Sequence, residues 1–171
     1  ALLFKLCQID TTPKLEVAEM RASENRCFQI LERELAALQF PGARLERRSI
    51  DPTIRFHPSY SHVNFTKIPE HLRELSTKKT YAGRSNLVYI IPGSDDKPGV
   101  SVALNAHIDV VAPFFPPRAQ RGVVFGRGVC DDKGQVVTIV AALNVLSELL
   151  AQTGLKLNRN IVARVVIDEE T

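Results

Sequence analysis

Residues 100–111 read VSVALNAHIDVV, and this stretch decides how the rest of the chain is interpreted. Residues 100–105 form a largely apolar run, which predicts a β-strand. His107 and Asp109 follow it, one residue apart, among apolar neighbours. An imidazole and a carboxylate are costly to bury unless they are paired or bind a metal, so their position requires a chemical explanation.

The segments around this stretch predict an α/β fold. Residues 86–91 (NLVYII) indicate a second strand, and residues 135–150 indicate a helix that is apolar on nearly every face and therefore covered by other elements. The β-branched run NIVARVVI at 160–167 is typical of a strand buried on both faces. The order strand, strand, helix, strand predicts a mixed, largely parallel sheet flanked by helices.

Weaker patterns predict the remaining elements. Thr11-Thr12-Pro13 is typical of a helix start, and apolar residues then recur at helical spacing to about Leu38. Residues 44–50 and 123–125 suggest two short strands. Residues 49–80 show no clear period, apart from a short helix expected at 70–75.

Composition limits the classes of function. The chain has 171 residues, 44% of them apolar, which suits one domain. A net charge of +3 with scattered basic residues argues against nucleic-acid binding, and no apolar run reaches the roughly 18 residues of a membrane span. The start ALLFKLCQI lacks the features of a signal peptide, and the three cysteines show no pairing pattern. We therefore expect no nucleic-acid or membrane partner and a reducing, cytoplasmic location.

Polar side chains cluster at the predicted carboxyl ends of strands. His107 and Asp109 follow the 100–105 strand, residues 168–170 (DEE) follow the 160–167 strand, and residues 131–132 (DD) precede the helix. In open α/β sheets, ligands bind outside the carboxyl ends of the strands. If these strands are parallel, the three segments can converge on one site.

Converging carboxylates repel one another, and a divalent cation removes that repulsion. One imidazole with several carboxylates suits zinc, with cobalt or manganese as alternatives. On this interpretation His107 is a metal ligand, and Asp109 accepts the proton of the other ring nitrogen and orients the imidazole.

Two other chemistries compete for the same segment. The glycines of FGRGVCDDKGQ (125–135) suggest a dinucleotide-binding loop, but Asp131 stands where the third glycine of that motif would fall and would repel a pyrophosphate. Cys130 with His107 as its base would make a cysteine-based hydrolase, but the neighbouring carboxylates would raise the thiol pKa and oppose activation. We expect Cys130 to serve packing instead.

Three motifs in this order resemble the co-catalytic dinuclear zinc metallopeptidases, a family that includes glutamate carboxypeptidase, acetylornithine deacetylase, succinyl-diaminopimelate desuccinylase, aminoacylase and dipeptidases. The motifs are HIDVV at 107–111, GRGVCDDKG at 126–134 and DEE at 168–170. The resemblance implies a three-layer α/β/α catalytic domain that hydrolyses an amide bond in a peptide or an N-acyl amino acid, as a carboxypeptidase, dipeptidase or deacylase.

The resemblance also implies a role for each residue. His107 would bind one zinc, Asp131 would bridge both zincs and Glu170 would bind the other. Glu169 would be the general base, and Asp109 would orient His107. The peptide bond after Asp131 would be cis.

The chain departs from the family in length. Members run to about twice this length and supply two more ligands and a smaller lid domain, through which many form dimers. We therefore expect residues 1–171 to be the N-terminal part of a catalytic domain, inactive alone, from a protein that could be a homodimer. A non-catalytic binding or regulatory module that keeps the fold remains an alternative.

Overall fold

The computed structural model describes residues 1–63, 71, 76–94 and 100–170. Its strands are β1 (Arg44–Ser49), β2 (Ser85–Ile91), β3 (Ser101–His107), β4 (Arg118–Gln120), β5 (Val123–Phe125) and β6 (Asn160–Val166). Its helices are α1 (Leu2–Cys7), α2 (Val17–Ala36), α3 (Thr77–Thr80) and α4 (Lys133–Thr153), with a 3-10 helix at Pro52–Phe56. The helix predicted at 70–75 falls outside the described residues, except for residue 71.

A four-stranded mixed sheet in the order β1-β2-β6-β3 forms the centre of the molecule, and β4 and β5 form a separate hairpin. The predicted α/β class with a mixed sheet is confirmed, but the expectation that the sheet is largely parallel was wrong. Only β3 and β6 pair in parallel, whereas β2 is antiparallel to both β1 and β6. A parallel pair needs a long crossover between its strands, and α4 provides it between β3 and β6.

One face of the sheet carries the core. The β2 residues Leu87, Tyr89 and Ile91 belong to the core and share a face with Ala163 of β6 and Ala106 of β3 by strand register. Helices α1, α2 and α4 pack on this same face. On the opposite face Ala103, Asn105 and Arg164 are exposed, so the second helical layer implied by the family resemblance is not seen among the described residues.

Helix α4 is less covered than its sequence suggests. Val136, Val140 and Leu143 are buried against the sheet, but Val145 and Leu149 on the outer side are exposed. The prediction that other elements cover the helix on all sides was therefore wrong for the described part of the chain. By length and apolar composition alone α4 could also cross a membrane, but a core helix passes the same test.

The helix predicted from Thr11 begins later. Helix α2 starts at Val17, and the two threonines hold a turn instead. Thr12 donates from its backbone N–H and its hydroxyl to Asp10 Oδ1, at 2.9 and 2.7 Å, and the Thr11 hydroxyl donates to the Ile108 carbonyl at 2.6 Å. The Thr12 hydroxyl thus closes a local turn, and the Thr11 hydroxyl connects the N-terminal segment to the chain just after β3. Short helix α1, which we did not predict, precedes this turn.

Candidate metal centre

The parallel pairing of β3 and β6 brings two of the predicted segments together. His107 is the last residue of β3, two residues beyond the strand end predicted from sequence, and it lies opposite Val166, the last residue of β6. Asp168 therefore begins its turn at the same edge of the sheet where the imidazole emerges. The predicted convergence of the segments after these two strands required the strands to be parallel, and β3 and β6 are parallel.

The third segment reaches the same edge through its own hydrogen bond. Asp132 Oδ2 accepts from the backbone N–H of His107 at 2.9 Å, which ties the loop before α4 to the end of β3. The peptide bond between Asp131 and Asp132 is cis, as the family resemblance implied. Asp131 itself is exposed and lies on the open side of the loop.

His107, Asp131 and Glu170 form a compact group of metal-ligating side chains. One ligand atom from each can be chosen so that all three lie within 4.8 Å of one another. His107 Nε2 lies 3.2 Å from Asp131 Oδ1. Two ligands bound to one zinc at about 2.1 Å in tetrahedral geometry are roughly 3.4 Å apart, so the spacing and the mixed nitrogen and oxygen donors fit such an ion.

Asp109 contacts two members of this group. His107 Nδ1 lies 3.0 Å from the Asp109 carbonyl oxygen and 3.4 Å from its carboxylate Oδ1. The other carboxylate oxygen, Oδ2, accepts from the backbone N–H of Glu170 at 2.9 Å. Asp109 thereby leaves Nε2 as the imidazole nitrogen that faces the acidic groups, and it holds the segment that carries Glu170.

The electrostatics of the site favour positive charge. Burial lowers the pKa of His107, but the hydrogen bond and charge of Asp109, together with the charge of Asp132, raise it to about 9. Slight desolvation and the neighbouring Asp131 carboxylate raise the pKa of Glu170, against the opposing effect of His107. The carboxylates that favour a proton on His107 would equally favour a divalent cation in its place.

Glu169 stands beside the metal-ligating group without being part of it. Its Oε2 lies 3.6 Å from His107 Nε2, and more than half of its side chain is exposed. The carboxylate is therefore within reach of the site and accessible to solvent. This position suits a proton acceptor better than a buried structural acid.

Other residues considered in the sequence occupy different positions. Lys133 is fully buried and donates to the Ile9 carbonyl at 2.7 Å, and Arg127 donates to the Pro113 carbonyl at 3.3 Å, so both tie loops together. Cys130 is exposed, which contradicts the packing role we expected. His57 and His62 are exposed.

Two features of the site were missed in the sequence. Asp132 was placed in the converging acidic segment without a role of its own, whereas its side chain anchors the backbone of His107. The buried arginine Arg84 contacts Asp168, and neither it nor its partner Glu24 was singled out. No spacing rule relates Arg84 to Glu24 or Asp168, because these residues lie far apart in the chain. The position of Arg84 directly before a buried strand was a local signal of a buried charge that could have been noted.

Comparison with known proteins supports the resemblance. Residues 103–171 match the model of peptidase family M20/M25/M40. The family resemblance is thereby confirmed for this segment. A LysW-lysine/LysW-ornithine hydrolase of Saccharolobus solfataricus is 30% identical over 94 residues, which cover 54% of this chain and 25% of that protein. A hydrolase of the same name from Saccharolobus islandicus is 28% identical over the same length.

Solved structures show the same fold. Human carnosine dipeptidase 1 aligns with a TM-score of 0.61 at 20% identity, over 95% of this chain and 30% of that structure. The di-peptidase Dug1p of Saccharomyces cerevisiae aligns with a TM-score of 0.56 at 17% identity, over 99% of this chain and 32% of its own. The chain thus spans about a third of these structures and about a quarter of the curated relatives it matches.

Proposed function

We propose that the intact protein hydrolyses an amide bond in a peptide or an N-acyl amino acid, and that zinc bound at the group His107, Asp131 and Glu170 serves this reaction. The observation that carries the proposal is the convergence of these three ligands from separate segments to within 4.8 Å. The match of residues 103–171 to a peptidase family supports the reaction class. Cobalt and manganese are alternatives that the same donors accept.

Residues of this chain would bind the metal and hold its ligands in position. His107 would hold the metal through Nε2 while Asp109 holds Nδ1, and Asp131 and Glu170 would supply carboxylate oxygens, with Asp131 in the bridging role that the family resemblance implies. Asp132 keeps the loop of Asp131 against β3 through the N–H of His107. Metal ions bound here would lower the pKa of a water and polarise the amide carbonyl.

Glu169 supplies the proton transfer. Its exposed carboxylate, 3.6 Å from His107 Nε2, can take a proton from the attacking water. The same group can then deliver that proton to the departing amine, which allows the carbon–nitrogen bond to break. Among the described residues, the carboxylates of Asp131, Asp132 and Glu169 lie near His107 Nε2. Asp131 belongs to the proposed ligand group and Asp132 holds the His107 backbone, so Glu169 is the carboxylate available for proton transfer.

The substitution Glu169→Gln in the intact protein tests this function. We expect kcat on a panel of dipeptides and N-acetyl amino acids to fall about 10²–10⁴-fold, the usual contribution of a general base. Zinc content measured by mass spectrometry should stay at the wild-type level. Glu148→Gln is the matched control, because Glu148 is exposed on α4 and accepts a hydrogen bond from Asn144 Nδ2 at 2.8 Å, outside the metal-ligating group.

The competing functions give different results in the same assay. A wild-type protein that binds zinc but hydrolyses no member of the panel favours the binding or regulatory module. Full activity in Glu169→Gln contradicts the proposed role of Glu169. Complete loss of activity in Cys130→Ala, with Glu169→Gln still active, favours the cysteine-based hydrolase.

A further inference from the structure

A buried arginine, Arg84, lies next to the turn at residues 168–170, which carries Glu169 and Glu170, but it takes no part in the proposed chemistry. Arg84 directly precedes β2, and its side chain is fully buried. Its Nε donates to both carboxylate oxygens of Glu24, at 3.2 and 3.1 Å, and its Nη2 donates to Glu24 Oε1 at 2.6 Å. The same Nη2 donates to Asp168 Oδ1 at 2.7 Å. One guanidinium thus joins α2 to the turn after β6.

Asp168 has a backbone conformation that needs support. Its φ is +58°, in the left-handed region that non-glycine residues seldom adopt, although aspartate and asparagine adopt it more readily than most. This conformation turns the chain away from the direction of β6 immediately before Glu169 and Glu170. The angle of the turn therefore determines where both glutamates point.

The turn is held on both sides of Glu169. Arg84 holds the Asp168 carboxylate before it, and Asp109 Oδ2 holds the Glu170 backbone N–H after it. Asp109 also contacts His107, so the second anchor belongs to the metal centre itself. The first anchor belongs to the core, because Glu24 lies on the buried side of α2.

Resting on the proposed function, we propose that Arg84, oriented by Glu24, is a positioning residue that sets the Asp168 turn and thereby the placement of Glu169 and Glu170. Arg84 touches neither substrate nor metal in this arrangement. Its loss should lower metal affinity and kcat, since a misplacement of about 1 Å in a catalytic group can cost 10²-fold in rate. Substrate affinity, which Glu169 does not determine, should change little.

The test compares substitutions of Asp168 and Arg84 in the intact protein. Asp168→Gly keeps the left-handed backbone accessible and removes the carboxylate that Arg84 holds. We expect kcat to fall at least tenfold, KM to change less than twofold, and zinc affinity of the metal-free protein, measured by calorimetric titration, to fall at least tenfold. Asp168→Asn keeps an acceptor oxygen for Arg84 and should recover most of both losses.

Arg84→Met extends the test to the cation, with Arg47→Met as its matched control. Arg47 also pairs with a glutamate, Glu32, and packs over the ring of Phe28, but it lies on β1 away from the turn. Arg84→Met should reproduce the loss of zinc affinity, and Arg47→Met should not. If Arg84→Met does not fold, the two Asp168 variants decide the question.

The outcomes separate this inference from the function on which it rests. An active, zinc-binding wild type with unchanged kcat and zinc affinity in Asp168→Gly overturns the inference and leaves the proposed function standing. Equal losses in Asp168→Gly and Asp168→Asn also overturn it, because the anchor would then not be the cause. A wild type that neither binds zinc nor cleaves an amide overturns both.

Discussion

At the scale of single residues, the site depends on a histidine whose two ring nitrogens have different surroundings. Nδ1 of His107 faces the carbonyl and carboxylate oxygens of Asp109, and Nε2 faces Asp131 and Glu169. The partner that fixes the ring also receives the Glu170 N–H. Asp109 therefore contacts two of the three candidate ligands at once.

Replacement of Asp109 by alanine should weaken metal binding. It removes the carboxylate beside His107 Nδ1 and the acceptor for Glu170, and loss of such an orienting partner typically lowers metal affinity 10–100-fold. Zinc titration of the metal-free protein measures the change. Asp51→Ala is the control, since Asp51 only caps an exposed 3-10 helix. An unchanged zinc affinity in Asp109→Ala would contradict the orienting role.

The sequence predicted which segments meet, but it did not predict the individual contacts that hold them together. The HxD pair, the Asp131 loop and the DEE turn lie close together, as predicted from two strand ends and the turn before a helix, and the roles of their residues stay predictions. Asp132 was missed because its partner is a backbone N–H, which every residue has. The exposure of Cys130 was missed because a local pattern does not state which side of a loop faces solvent.

At the scale of elements, the start of α4 determines where Asp131 lies. Gly134 packs so closely on the preceding loop that an added Cβ would lie 2.1 Å from the Val129 carbonyl oxygen. Only glycine allows the helix to begin directly behind the loop. The glycine-rich segment that suggested a nucleotide site therefore serves close packing instead.

Gly134→Ala should displace the loop and reduce both stability and metal affinity. Overpacking of this kind costs about 1–3 kcal/mol of unfolding free energy. Gly122→Ala is the matched control, because Gly122 has φ +78° but no atom within 4 Å of an added Cβ. It should cost about 1–2 kcal/mol for the left-handed backbone and leave zinc affinity unchanged. Unchanged zinc affinity in Gly134→Ala would show that the helix start does not position Asp131.

The packing of α1 and α2 can be tested through their cysteines. Cys7 and Cys27 are buried, whereas Cys130 is exposed. Burial raises the pKa of Cys7, and it raises that of Cys27 to about 11, so both remain protonated and unreactive at pH 8. Iodoacetamide should alkylate Cys130 quickly and the other two only after denaturation, as peptide mass spectrometry would show. Rapid labelling of Cys27 in the native protein would contradict the packing of α2.

The sequence predicted the types of the elements better than the pairing and direction of the strands in the sheet. The strands at 86–91 and 160–167 were placed almost to the residue because their apolar runs are long and clearly bounded. The sheet is less parallel than expected because strand direction depends on connections, and the crossover through the long helix α4 makes β3 and β6 parallel, whereas β2 is antiparallel to β1 and β6. The start of α2 was misplaced because two threonines that could cap a helix instead bind Asp10 and Ile108.

At the scale of the whole molecule, helices α1, α2 and α4 cover one face of the sheet, and the candidate metal centre lies at the carboxyl ends of β3 and β6. The structures that share this fold are about three times as long as the aligned chain. Since three candidate ligands are present here, we expect residues 1–171 expressed alone to bind zinc more weakly than the intact protein and to hydrolyse no N-acetyl amino acid. Enzyme-like turnover by residues 1–171 would contradict this expectation.

Diffraction at the zinc absorption edge from crystals of the intact protein, grown with zinc, tests the central claim most directly. The claim is that a dication explains why acidic side chains from three segments gather around His107. We expect an anomalous peak about 2.0–2.2 Å from His107 Nε2 and from carboxylate oxygens of Asp131, with a zinc position bound by Glu170 beside it. Zinc bound elsewhere, with His107 and Glu170 pointing to separate surfaces, would contradict the account.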